Sequence, residues 1–219
     1  MSGIAIQSGM LGSAAGGATP PSIVFTDSYL DADNPSTLTT FAGANLGTSE
    51  NKLVVVTFGS RDDDGGEPDY KTATIGGVAM TSVIQHDAEK GTQCMYQLET
   101  TQSVADIVVN HNDTFVGGAI SVYAIYGLSS ITPTATASVQ TSTPSISVPA
   151  GGFAILLTTN RDGVVTIDSG DFTADVNGAI VKVSSNTSVT TGHHTNSGAT
   201  SSKSATLNNS QKAVLAAWV

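Results

Sequence analysis

The chain has 219 residues, with eight Lys and Arg against eighteen Asp and Glu, a formal net charge of −10 and a pI of 4.4. Phosphate backbones and anionic lipid surfaces are held by clustered Lys and Arg, so this balance argues against nucleic acid and against a membrane surface as partners. The lone cysteine, Cys94, excludes an intrachain disulfide framework and a cysteine-based zinc site. Charged residues make up 12% of the chain, about half the usual ~25%. Gly, Ser, Thr, Ala, Asn and Val fill their place, and with only 5% aromatics the core must be built from small aliphatic side chains. The length suits one β-rich domain.

The first twenty residues, MSGIAIQSGMLGSAAGGATP, are small, uncharged and glycine-rich, yet carry the apolar pairs Ile4/Ile6 and Met10/Leu11. A disordered tail is ordinarily polar or charged. A signal peptide opens on Lys or Arg and runs into seven or more apolar residues, whereas the first basic residue here is Lys52. Residues 1–21 therefore read as an extended docking arm with Ile4, Ile6, Met10 and Leu11 as its anchors. A frayed terminus with stray hydrophobes is the alternative.

Strand signals then recur through residues 22–219, read as a single domain. Ser22–Thr26 and Thr37–Phe41 flank an Asp-Asn-Pro turn at Asp33–Pro35, and Lys52–Gly59 (KLVVVTFG) is the strongest early strand. Lys71–Ile75 and Val78–Gln85 form a hairpin across Gly76-Gly77, since two glycines supply the positive φ that a tight hairpin turn demands. Thr92–Leu98 and Val104–Asn110 read as the next pair, and Gly118–Gly127 as a central strand. Thr134–Gln140, Ser145–Val148, Phe153–Thr159, Val164–Asp168, Ala179–Val183, Thr187–Thr191 and Lys203–Leu207 follow. Lys212–Val219 ends in the apolar AVLAAWV, which belongs inside a sheet. No segment keeps a 3.6-residue period for three turns, and no apolar run approaches the ~18 residues of a membrane-spanning helix. The expected fold is all-β, an antiparallel β-sandwich of jelly-roll type with an extended N-terminal arm.

Candidate chemistry is sparse. Asp62, Asp63, Asp64, Glu67 and Asp69 put five carboxylates into eight residues of a glycine-containing loop. They read as a solvated acidic turn, with a structural Ca²⁺ site as the alternative; the spacing is not that of an EF-hand. Of the four histidines, His86 and His111 neighbour polar turn residues. His193-His194 sit in the loop-like TGHHTNSG, where exposed loop histidines are the expectation; in a strand the two would face opposite ways and chelate poorly. No nucleophile elbow or phosphate loop is present, no acid pair stands out for glycoside hydrolysis, and no cofactor is expected. Trp218 reads as core, Cys94 as a buried thiol, and the sequons at Asn112, Asn186 and Asn208 as chance.

Several phrases carry a resemblance: KLVVVTFGSR (52–61), ATIGGVAMT (73–81), VADIVVN (104–110), AISVYAIYGLSSITPTATAS (119–138), SISVPAGGFAIL (145–156) and AVLAAWV (213–219). Their wording and order resemble a family of small β-sandwich virion proteins of tailed bacteriophages and prophages. The resemblance implies a non-enzymatic structural component of the virion, assembled in the host cytoplasm. Its place would be head decoration (cement), head fibre or tail. Capsid decoration is the leading expectation, with the arm docking on the major capsid protein or a sister copy. The alternative is a tail-fibre or tail-associated adhesion module that binds host surface glycans through residues 61–69 and 192–198.

Overall fold

The computed structural model describes residues 21–32, 36–62, 71–88, 91–160, 163–209 and 211–219. The arm anchors Ile4, Ile6, Met10 and Leu11 and the loop acids Asp63, Asp64, Glu67 and Asp69 lie outside the described residues, and Asp62 is described as backbone at a strand end. The described chain is all-β, with one 3-10 turn at Val183–Ser185. No helix in it is long and apolar enough to cross a membrane. The strands are β1 (Ser22–Asp31), β2 (Ser36–Asn45), β3 (Lys52–Asp62), β4 (Thr72–Ile75), β5 (Val78–Ala79), β6 (Thr81–Ala88), β7 (Gly91–Thr100) and β8 (Val104–Tyr126). Next come β9 (Ala135–Thr141), β10 (Ser145–Val148), β11 (Phe153–Asn160), β12 (Ile167–Gly170), β13 (Thr173–Lys182), β14 (Thr187–Thr195), β15 (Ser201–Leu207) and β16 (Gln211–Trp218).

Three antiparallel sheets result. An eight-stranded sheet runs β5-β4-β8-β3-β7-β6, with β1 and β2 also laddered on β8. A five-stranded sheet runs β13-β14-β11-β16-β9, and a three-stranded sheet runs β10-β15-β12. The C-terminal apolar strand lies inside the five-stranded sheet, between β11 and β9. The two-glycine hairpin forms between β4 and β5, with Gly76 and Gly77 at φ 55° and 81°.

Period-2 alternation sorts the apolar residues into three cores. One face of β3 and β8 sends Leu53, Val55, Ala119, Tyr123 and Ile125 against Phe153, Ile155, Val214, Ala216 and Trp218 of the five-stranded sheet. The opposite face of the five-stranded sheet meets the three-stranded one through Leu156, Leu215, Val148 and Leu207. The opposite face of β3 and β8 packs Val54, Val56, Phe58, Ile120 and Val122 with Ile107, Val109 and Ile75. The two central sheets are thus buried on both sides, which is why KLVVVTF, FAILL and AVLAAW are continuous apolar runs instead of alternating ones.

Three strand expectations need correction. Val78–Gln85 is not one strand: it breaks at Met80 into β5, the short partner of β4, and β6, which ladders with β7. Val104–Asn110 and Gly118–Gly127 belong to one 23-residue strand, β8. Nor do Thr92–Leu98 and Val104–Asn110 pair: β7 ladders with β3 and β6, because the doubly buried β3 takes the place between β7 and β8. β8 bends between its halves. On β2 the register jumps from Leu38↔Asn110 to Ser36↔Phe115, and on β3 it slips between Arg61↔Gly117 and Asp62↔Phe115. The bend lets odd-numbered Ile107 and Val109 share a core with even-numbered Ile120 and Val122, so the eight-stranded sheet nearly closes on itself. Beside the bend, Gly117 admits the close approach of β13: a Cβ there would lie 2.0 Å from the carbonyl oxygen of Val181.

His111 fills the inside of the bend, with ring centroids 4.9 Å from Phe58 and 4.2 Å from Phe115. It is buried, and among the described residues neither ring nitrogen has a hydrogen-bond partner. Burial, reinforced by the Lys71 ammonium, lowers its pKa from 6.5 to about 3. The unfolded chain therefore takes up a proton below pH 6.5 that the folded protein refuses until about pH 3. The stability that the neutral ring permits is complete above pH 6.5 and is lost as pH falls through that window. Between pH 7 and 4.5 this group removes roughly 2–3 kcal/mol, at ~1.4 kcal/mol per unit of unmatched titration. Urea unfolding of the protein and of His111→Leu at both pH values should show a smaller pH-dependent loss in the variant. Equal losses would contradict the assignment.

Candidate functional site

An open groove of about 650 Å³ lies where the chain enters the sheet. Its walls are the start of β1, with Val24 and Thr26, and the connection from β2 to β3, with Asn45, Thr48 and Glu50; Tyr126, at the end of β8, also lines it. Hydrogen bonding holds this frame in place. Asp27 accepts from the backbone N–H of Ser28 and of Asn45, both at 2.9 Å. The Asn45 side-chain oxygen accepts from Gly47 N–H at 2.9 Å. Tyr126 OH accepts from Thr48 N–H at 2.9 Å, and Thr48 Oγ1 lies 3.2 Å from that hydroxyl. Gly47 is required by this approach: its φ is +91°, and a Cβ would fall 2.3 Å from the Tyr126 oxygen.

A buried cation fastens the same connection from behind. Lys52 Nζ donates to the carbonyls of Thr48 at 2.6 Å and Gln102 at 2.8 Å, and more weakly to Glu50 at 3.4 Å. Burial lowers the Lys52 pKa from its usual value, and the Glu50 charge opposes that shift. The groove is therefore pre-formed, and its polar surface is mostly neutral: hydroxyls, an amide and one carboxylate.

A second polar constellation bridges the two large sheets. Asp175 of β13 accepts from Tyr123 OH of β8 at 3.0 Å and from His193 Nδ1 of β14 at 2.8 Å. The Asp175 side chain is 6% exposed and that of His193 22%, so the pair reaches from the interior to the surface. Tyr123 is fully buried. Burial, with the Asp175 charge adding to it, raises its pKa well above 10, so it remains a phenol donor. Beside it, Ser121 and Thr191 hydroxyls meet at 3.0 Å. A carboxylate with two donors from two other strands is a cross-sheet tie. Among the described residues nothing hydrogen-bonds the outer ring nitrogen of His193.

The expected site residues distribute as follows. His193 and His194 lie in β14 and not in a loop; they face opposite ways, His193 to Asp175 and His194 to the Asp171 carbonyl at 2.8 Å. His86 meets the Ser138 hydroxyl at 2.7 Å. Trp218 is buried and donates to Gln97 Oε1 at 3.1 Å, and Cys94 is buried in the bent sheet. The Asn208 side chain bonds Thr166 N–H and the Val164 carbonyl. Among the described residues no group of three or more His, Cys, Asp or Glu is placed to hold a metal ion. The chain matches no protein-family model and no curated protein sequence.

Asp175→Ala leaves a fully buried tyrosine hydroxyl without its acceptor and should cost about 1–3 kcal/mol. Tyr123→Phe should cost less, because His193 still satisfies Asp175. The double variant should be little worse than Asp175→Ala alone when urea midpoints are compared. Strictly additive losses would show that the two groups do not act together.

Proposed function

We propose that this chain is a non-enzymatic structural protein of a tailed-phage virion, a head-decoration (cement) protein that docks on the shell through its arm at residues 1–21. The observation that carries the reading is the edge on which the arm opens. The arm leads into β1, and β1 and β2 lie end to end along one side of β8 with no other ladder among the described residues. That edge carries Val24, Leu30 and Leu38, each between 44% and 47% exposed. Unpaired strand edges with exposed apolar side chains are costly in a protein that stays alone, and are a ready-made surface for strand addition. The resemblance of several phrases to phage β-sandwich proteins supports the same reading, as does a composition poor in charge.

Magnitudes fix how such docking works. Each aliphatic anchor of the arm contributes about 1.5–3 kcal/mol when fully buried. Ordering the backbone costs roughly 1–2 kcal/mol per residue. Ile4, Ile6, Met10 and Leu11 therefore cannot order twenty residues by side-chain burial alone. Backbone pairing along a sheet edge supplies the remainder, and repetition on a symmetric shell multiplies the effect.

Deletion of residues 2–18 should leave a folded domain, judged by circular dichroism and cooperative urea unfolding, that no longer incorporates when particles assemble. Gel analysis of purified particles reads the outcome. Full incorporation of the truncated chain would overturn the docking role of the arm.

A further inference from the structure

We infer that the groove between β1 and the Asn45–Glu50 connection receives the arm of a second copy of this chain, with Ile4 and Ile6 as the seated residues. This rests on the docking arm proposed above and assigns its first anchor pair to a sister copy, which leaves Met10 and Leu11 for the shell. Three observations converge. The first is chemical: residues 1–21 contain no charged side chain, and the groove offers Val24 together with the neutral groups of Thr26, Asn45, Thr48 and Tyr126. A strongly basic or acidic partner would find no complementary charge there beyond Glu50.

The second concerns spacing. In an extended strand, residues two apart point to the same side. Ile4 and Ile6 meet that condition, whereas the adjacent Met10 and Leu11 point apart. A groove of about 650 Å³ has room for a few side chains, not for the whole arm, so one correctly spaced pair is what it selects.

The third is direction and reach. Pro20-Pro21 immediately precede Ser22, which itself lines the groove. Proline fixes φ near −65° and disfavours the helical region in the residue before it, so the sequence Thr19-Pro20-Pro21 disfavours the tight reversal that a chain's own arm would need to reach Val24 and Thr26. The sixteen residues from Ile6 to Pro21 span up to about 50 Å when extended, which carries the pair to a neighbouring copy. Two copies exchanging arms satisfy both grooves by one symmetric operation.

The test uses the purified full-length protein, with no other virion component, in multi-angle light scattering at micromolar concentrations. The expected mass is twice the 22.1 kDa chain. Ile4→Asp/Ile6→Asp and, separately, Val24→Asp should each give the single-chain mass while keeping the unaltered protein's far-ultraviolet circular dichroism, the urea midpoint falling only by the contribution of the dimer contact. In addition, a synthetic peptide of residues 1–20 should bind the chain lacking residues 2–18 and should lose at least tenfold in affinity when that chain carries Val24→Asp. A single-chain mass for the unaltered protein overturns the exchange, and if the peptide still binds, the groove takes its own arm. Dimers that persist in Val24→Asp overturn the groove as receptor, as does a peptide that fails to bind. Because no particle is present, these outcomes are separate from incorporation. A chain that dimerises as described yet never enters a particle would refute the virion reading and leave the exchange intact.

Discussion

β8 forms ladders along both halves and on both sides: with β2 and β4 over its first half, and with β1 and β3 over its second. Everything else is positioned by that strand and its bend. Because the bend turns the first half over the second, the eight-stranded sheet encloses its own core. The outer face of β3 and β8 remains available to the five-stranded sheet. The aromatic cluster of Phe58, His111 and Phe115 fills the inside of the bend. Gly117 lets β13 approach at its back.

This arrangement explains the composition. A core built between doubly buried sheets needs little aromatic bulk, since small aliphatic chains from two faces interlock at the ~10 Å spacing of packed sheets. It also explains where polar side chains are tolerated. Ser121, Thr191, Tyr123, Asp175 and His193 form a hydrogen-bonded seam between the two large sheets. Lys52 is admitted because its ammonium is capped by main-chain carbonyls. These buried polar groups are matched; the hydroxyls of Thr39, Thr57 and Ser60 and both ring nitrogens of His111 have no hydrogen-bond partner among the described residues, and His111 is held neutral by burial.

Much of the fold was legible in the sequence because the signals are local. The apolar runs of β3, β11 and β16, the Gly76-Gly77 turn and the interior place of the C-terminal strand each follow from a few adjacent residues. The continuity of β8 was not. His111-Asn112-Asp113 and Gly117-Gly118 have the composition of a turn, and the two halves reverse their facing. The partnership of Tyr123, Asp175 and His193 spans 52 and 18 residues of sequence, and nothing local links them. The groove is likewise a product of topology: Gly47 and Tyr126 become meaningful together once β1 and β3 are both laddered on β8. The i, i+2 spacing of Ile4 and Ile6 is a feature of the sequence alone, whereas the exposed edge on β1 and β2 emerges only from the fold.

In the proposed role the arm fixes the described domain to a phage head. The direct test is immunogold labelling of purified particles with an antibody raised against residues 22–219. Label distributed over the head is the expected result. Particles without label, or label confined to the tail, would contradict it, and label at the tail tip would favour an adhesion role instead.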